Sequence, residues 1–321
     1  MPSTLTHYFF ASDFLKSITD KKDFLINNED CFLLGTQGPD PLFFFGLLPF
    51  NGLHLFEANK KYGGQLHKSD GKRLFRLMIN ETKDISNLEE KNMFLAFTYG
   101  QFAHYILDST VHPYVYYFSG FDDGGHLSGK YHYLHPHFEA RIDSSLVCLR
   151  NESEELINKP YQVIAIDDKK LDVISKHFDN VLRTYFEKKI ADNIYKSAIL
   201  NMRACLRFTN GISAFKTKLL GKGRVGALHI PFKTNHNVLN ENHLAWQDPY
   251  TGKSSVMSFN ELYDLAIRKL KGNYCSLSNE LLFKDIDLLL DGLTYSGIPL
   301  GETLKYKDVK GVLLSEKVTE N

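Results

Sequence analysis

The chain is short of cysteine. Its 321 residues include four, Cys31, Cys148, Cys205 and Cys275, far apart and with no C-x-x-C pair. That spacing argues against a thiolate zinc site and against a disulfide framework. Free thiols in a reducing compartment are the simple expectation. Net charge is missing as well. Lys+Arg and Asp+Glu both number 38, so the basic excess of a general nucleic-acid binder is absent and no such binding is expected. No apolar run is long. The longest, Pro41 to Phe50 (PLFFFGLLPF), falls well short of the roughly 20 residues that span a bilayer. It reads as core or as an interfacial, substrate-facing loop. The N-terminal stretch MPSTLTHYFFASDFLKSITDKK has no basic segment before an apolar one, and Asp13 and Lys16 interrupt its apolar pattern. It makes a poor signal peptide, and a cytoplasmic protein is expected. Internal repeats and low-complexity tracts are lacking too.

Period-two alternation is scarce, whereas helical spacing is frequent. Leu171, Ile174, Phe178, Val181, Leu182, Tyr185 and Phe186 follow the three–four pattern of an amphipathic helix. A second pattern runs from about Ile190 to Phe208, with Gly211 as its stop. A third covers Asn92 to about His112. Pro113 disfavours helical backbone at His112, so a bend or an end is expected there. Ser258 and Glu261 form a capping box ahead of Leu262, Leu265 and Ala266. The expected fold is mainly α, a multi-helical single domain with long loops at about 19–66, 118–131 and 221–257. Gly221, Gly223 and Gly226 match G-x-G-x-x-G. A helical pattern precedes them and a loop follows, the wrong context for a dinucleotide loop.

What the chain does have is histidine, concentrated at its front. His7, His54, His67, His104, His112, His126, His132, His135 and His137 all precede residue 138. His104, Asp108 and His112 recur every four residues, which places them on one side of a helix. His135 and Glu139 repeat that spacing. Burying such groups unpaired is costly, so either a cation or a salt-bridged cluster must satisfy them. Asp40 sits in GTQGPDP, where glycine and proline constrain the backbone; an Asx turn is its plain reading. Imidazole and carboxylate suit zinc without any thiolate. Clustered zinc ions serve phosphoester hydrolysis by activating water and clamping phosphate oxygens.

Five segments resemble the zinc-dependent phospholipase C family: THYFFA (Thr6–Ala11), LGTQGPDPLFF (Leu34–Phe44), GGQLHKSDGKRLF (Gly63–Phe75), GQFAHYILDSTVHPY (Gly100–Tyr114) and HPHFEARID (His135–Asp143). They cover roughly the first half of the chain, in the family's order. The resemblance implies an all-α fold of the phospholipase C/P1 nuclease type. Residues 1–220 would be the helical zinc-dependent domain, and 221–321 a helical extension packed on it. It further implies His7, Asp40, His67, His104, Asp108, His112, His135 and Glu139 as ligands of two or three zinc ions. Asp108 would bridge two metals, and Asp40 would be the general base. His54 is the alternative to His67. The implied activity is that of a phosphoric ester hydrolase, a phosphodiesterase of phospholipase C type in which zinc-bound hydroxide attacks phosphorus. A phospholipid or other phosphoester would be the substrate, with transient membrane-surface contact. Phe43, Phe44 and Phe45 could line the apolar part of a pocket or pack in the core. Two other readings stay open: a non-catalytic, metal-stabilised protein that binds phosphate or lipid, and a single-strand nuclease of the related zinc type.

Overall fold

The computed structural model describes residues 4–46, 62–188, 190–211, 228–232, 236–276, 290 and 292–310. Its helices are α1 (Thr4–Ser17), α2 (Asp23–Ile26), α3 (Glu29–Gly35), α4 (Tyr62–His67), α5 (Lys72–Asp84), α6 (Leu88–Ser119), α7 (Tyr131–Leu149), α8 (Glu155–Asn158), α9 (Asp168–Phe186), α10 (Ile194–Thr209) and α11 (Phe259–Ser276). Short 3-10 turns occur at Asp40–Phe43, Pro160–Gln162 and His236–Leu239. Among the described residues the one sheet is a two-stranded antiparallel hairpin pairing Trp246 with Ser255 and Gln247 with Ser254. The mainly α expectation holds. No described helix is long and apolar enough to cross a membrane.

Helix α6 is the rod around which the others pack. It starts at Asn87, whose side chain accepts a hydrogen bond from Glu90 N at 3.1 Å. Glu89 and Glu90 occupy its first turn, where carboxylates meet the positive end of the helix. Nearly every residue from Met93 to Val115 is buried. A helix apolar on all sides belongs in the centre of a fold, and α3, α5, α9, α7 and α11 all contact it. Phe14 of α1 illustrates the joint packing: its ring lies 5.5 Å from Phe32, 6.0 Å from Tyr99 and 5.4 Å from Tyr274. Four helices thereby share one aromatic cluster.

The helix does not end at Pro113: α6 runs through it to Ser119. Proline removes only the hydrogen bond to the Ser109 carbonyl. Gly297 backs onto that gap, so closely that a Cβ there would lie 2.5 Å from Ser109 O and 2.6 Å from Pro113 Cγ. Tyr114, fully buried just beyond, helps to hold the continuing turn in place. Helix α6 also begins at Leu88, before the expected Asn92.

Several other expectations are refined. The segment 19–66 is not one loop: it contains α2, α3, the Asp40–Phe43 turn and most of α4, while residues 47–61, including His54, lie outside the described residues. Helices of four to seven residues leave too little sequence for a period to show. The 118–131 connection is as expected, since α6 ends at Ser119 and α7 begins at Tyr131. Helix α10 starts at Ile194 rather than near Ile190, where the Asp179 side chain caps it by accepting from Ile194 N and Tyr195 N, each at 3.1 Å. The capping box at α11 is formed: Glu261 N donates to Ser258 Oγ at 3.2 Å and Ser258 N to Glu261 Oε2 at 2.8 Å. The triplet Gly221, Gly223 and Gly226 lies outside the described residues. Leu42, Phe44 and Phe45 are core, while Phe43 is partly buried.

One contact sets the position of the chemistry. Helices α3 and α6 cross backbone to backbone. A Cβ on Gly35 would lie 2.3 Å from Phe97 O, and one on Gly100 would lie 2.3 Å from Phe32 O. Only glycine permits that approach. The turn after α3 is thereby laid along α6. His104 Nδ1 sits 3.0 Å from Thr36 O, and Gln101 Nε2 donates to Gly38 O at 2.9 Å. Alanine favours helix over glycine by about 1 kcal/mol. Gly100→Ala is nevertheless expected to destabilise the protein by about 2–3 kcal/mol, because the new methyl meets backbone that must move. Urea unfolding checks this; a stabilised variant would show that the crossing is loose.

Candidate metal centre

The eight sequence-predicted residues come together from five elements. Helix α1 brings His7, the Asp40–Phe43 turn brings Asp40, the end of α4 brings His67, α6 brings His104, Asp108 and His112, and α7 brings His135 and Glu139. His67 is thus placed beside the other seven, while its alternative, His54, lies outside the described residues. Because α6 continues past Pro113, His112 stays on the stripe with His104 and Asp108.

Three groups, the first two sharing His104, could each hold a metal ion: His7, His104 and Asp108; Asp40, His67 and His104; and His112, His135 and Glu139. Within each group the ligand atoms lie within 4.8 Å of one another. Asp108 divides its oxygens. Oδ1 lies 3.3 Å from His7 Nε2, while Oδ2 lies 3.0 Å from His104 Nε2, 3.5 Å from His112 Nδ1 and 3.9 Å from His67 Nε2. Glu139 Oε1 lies 3.3 Å from both His112 Nε2 and His135 Nε2. His7 and His104 stack with ring centroids 4.2 Å apart. Seven of the eight side chains are at most 8% exposed; His67 reaches 15%.

Two features fit these donors to a cation. Four imidazoles turn Nδ1 to an outside partner and Nε2 inward. His67 faces Gly63 O at 2.8 Å, His104 faces Thr36 O at 3.0 Å, His112 faces Tyr295 O at 2.6 Å and His135 faces Ser119 Oγ at 3.3 Å. Such outer partners are how metal-binding histidines are oriented. Moreover, His67 Nε2 and Asp40 Oδ1 lie 2.9 Å apart, yet neither atom makes a hydrogen bond; His104 Nε2 is bare as well. Short separations without hydrogen-bond geometry are what lone pairs converging on one point produce.

The electrostatics are those of a dense buried cluster. Burial opposes ionisation of Asp108, but His104 and His112 outweigh it and hold the carboxyl well below its usual range. Asp40 is held low in the same way, by His67 and His104 against burial. Glu139 is also lowered, against burial, by His135 and His112. Burial alone would lower His112, yet Asp108, Glu139 and the Tyr295 carbonyl raise it to about 9. Burial dominates at His135 and pulls it down.

Among the described residues, the other histidines of the front segment take no part. His126 and His132 are exposed. His137 stacks on Tyr133 at 4.9 Å, with burial pushing its pKa down to about 4.

Two residues that sequence reasoning did not assign now have a place. Asp143, four residues beyond Glu139, accepts from Leu5 N at 3.1 Å, Thr6 N at 2.8 Å and Thr6 Oγ1 at 2.7 Å. It caps the start of α1 and so fixes His7 against the centre. The continued spacing 135, 139, 143 was its signal. Tyr295 orients His112 through its carbonyl; nothing local in TYSGIP marks that role.

A sequence model of zinc-dependent phospholipase C matches residues 6–195, a span that holds all eight residues. The chain belongs to the zinc-dependent phospholipase C family. Comparisons with curated proteins and with solved structures give no match. Helix α11 and the Tyr295 segment lie beyond the part shared with the family model.

The titrations of this phospholipase C family member set a direction for its metal-free form. Burial raises Asp143 from 3.8 to about 7, against three donated hydrogen bonds, and His112 rises from 6.5 to about 9. A raised folded pKa stabilises below the unfolded value and loses that contribution as pH climbs through the folded one. The melting temperature of metal-free protein is therefore expected to fall between pH 6 and about 9. His112→Gln should flatten the upper part of that slope, from about pH 7 to 9. Thermal melts across this range check both; a flat wild-type profile would count against the cluster's coupling.

Proposed function

We propose that this chain is a zinc-dependent phosphoric ester hydrolase that acts on a phospholipid or a related phosphodiester. The observation that carries the reading is the set of bare, converging lone pairs at Asp40, His67 and His104, backed by imidazoles whose Nδ1 atoms are all engaged elsewhere. Zinc is the cation that the family uses and that an imidazole–carboxylate set suits. His7, His104, Asp108, Asp40 and His67 would hold one or two ions, with Asp108 the residue shared between metals. His112, His135 and Glu139 would hold another. Two or three ions per chain are proposed.

Bound zinc supplies Lewis acidity, polarising phosphoryl oxygens and acidifying water. The protein's own part is to position and to move protons. Asp40 Oδ1 is bare, buried and kept ionised by neighbouring imidazoles, so it is the acceptor for the proton of the attacking water. Asp143 holds His7 in register through the start of α1. Burial of the whole set strengthens every charge interaction within it. Phe43 packs 5.1 Å from His67, the most exposed of the eight, and offers an apolar surface beside the point of entry. Residues 1–220 would form the catalytic part and 221–321 an extension packed upon it, as α11 is on α6.

Elemental mass spectrometry of purified, dialysed protein tests the reading directly. Two or three zinc ions per chain are expected, together with hydrolysis of phosphatidylcholine or bis-p-nitrophenyl phosphate. Asp108→Asn should lower both zinc content and rate. Protein that retains zinc without turnover would instead be a metal-stabilised binding protein, and protein that binds no zinc while folding normally would sink the assignment. Loss of Asp143 makes a separate claim: Asp143→Ala is expected to cost about 2 kcal/mol, the upper range for a helix cap, and to weaken retention of the ion held by His7.

A further inference from the structure

We propose that Tyr295 is a substrate-contacting residue of this centre, its phenol donating a hydrogen bond to a phosphoryl oxygen held at the Asp40–His67–His104 end. The proposal rests on the phosphoesterase reading above and extends it to a segment beyond the family match, which ends at residue 195.

Tyr295 is fully buried, and its hydroxyl has no hydrogen-bond partner among the described residues. A buried hydroxyl left unpaired is costly, so a fold that keeps one has a use for it or a ligand to fill it. The ring lies in contact with the centre, 5.0 Å from His67 and 5.8 Å from His104, centroid to centroid. A tyrosine hydroxyl carries its proton near neutral pH, so it stands as a donor. The groups around it are imidazoles and carboxylates committed to one another or to a cation. An acceptor arriving from outside completes the set, and the phosphoryl oxygen of a phosphoester is one.

The hydroxyl is held in place rather than placed by chance. Tyr105 Oη donates to Leu290 O at 2.6 Å and to Leu293 O at 2.8 Å. Thr294 N donates to Ile298 O at 2.8 Å, and Gly297 N to Thr294 O at 2.9 Å, closing a tight turn around Tyr295. Gly297 seats that turn against Ser109 and Pro113, with φ +72°. Ser296 Oγ and Tyr116 Oη are 3.1 Å apart. The Tyr295 carbonyl is meanwhile spent on His112 Nδ1. Every polar group of this turn that holds it to α6 is used, and the phenol is the one left over for a ligand.

Tyr295→Phe in the full, zinc-loaded chain is the test, read with inorganic phosphate as the probe. Zinc content should equal wild type, and the melting temperature should be equal or higher, since the removed hydroxyl has no partner to lose. Phosphate affinity by titration calorimetry should fall about tenfold, the scale of one hydrogen bond to a charged acceptor, and kcat/KM on bis-p-nitrophenyl phosphate should fall with it. Tyr105→Phe is the structural comparison: its hydroxyl anchors two carbonyls, so its melting temperature should drop. Unchanged phosphate affinity in Tyr295→Phe overturns the proposal, as does a melting temperature lowered like that of Tyr105→Phe. Lost zinc would also overturn it, by placing the phenol in the metal set. Wild-type protein that loads zinc but binds no phosphate would remove the phosphoesterase reading and this proposal together.

Discussion

The structure depends on Asp108, a carboxylate in the middle of a helix that is buried on every side. Such a charge is tolerated only if something beside it carries the opposite sign. Here the compensation comes from His7, His104, His112 and His67, all within 4 Å of its oxygens. Those imidazoles come from α1, α4 and α6. Satisfying one buried charge therefore constrains where three helices begin, end and cross. A cation shared among these groups meets the same requirement more completely, since the inward-facing Nε2 atoms of His67 and His104 make no hydrogen bonds that a cation would have to break.

The fold supplies this cluster through close backbone approach and through caps. Gly35 and Gly100 let α3 lie directly on α6, and the carbonyl of Thr36 then reaches His104. Asp143 reaches from α7 to the first turn of α1 and ties His7 to the helix that carries Glu139. Several of the contacts that orient the imidazoles are main-chain carbonyls, those of Gly63, Thr36 and Tyr295. Main-chain partners cannot be varied by substituting their own residues, which makes the orientation of the imidazoles insensitive to most surface change. The C-terminal turn around Tyr295 contributes in the same style, giving a carbonyl to His112. The region outside the family match is therefore joined to the centre by a direct contact.

Much of the site was legible in order along the chain. His104, Asp108 and His112, then His135 and Glu139, declare themselves by four-residue spacing on helices, because that period alone places side chains on one face. Asp40 and His67 were legible only through family resemblance: a single carboxylate in a Gly-Pro turn has a plain local reading, and it takes the crossing of α3 over α6 to bring it to His67. The behaviour at Pro113 was misjudged for a related reason. Local geometry says that proline breaks a helix, but Gly297 and the buried Tyr114 lie 184 residues and one residue away, and only the first of those distances is visible as a contact after folding. The short helices α2, α3 and α4 were read as loop because four to seven residues cannot display a period.

The sequence by itself determined the helical class, the capping of α11 and the stripes His104, Asp108, His112 and His135, Glu139, since each follows from spacing or side-chain chemistry within a few neighbours. Tertiary structure alone decided that Asp40 and His67 meet, that Asp143 holds His7, and that the Tyr295 ring packs beside the imidazoles. Those are contacts between residues from 27 to 228 positions apart, and side-chain chemistry carries no information about which distant neighbour the packing will bring.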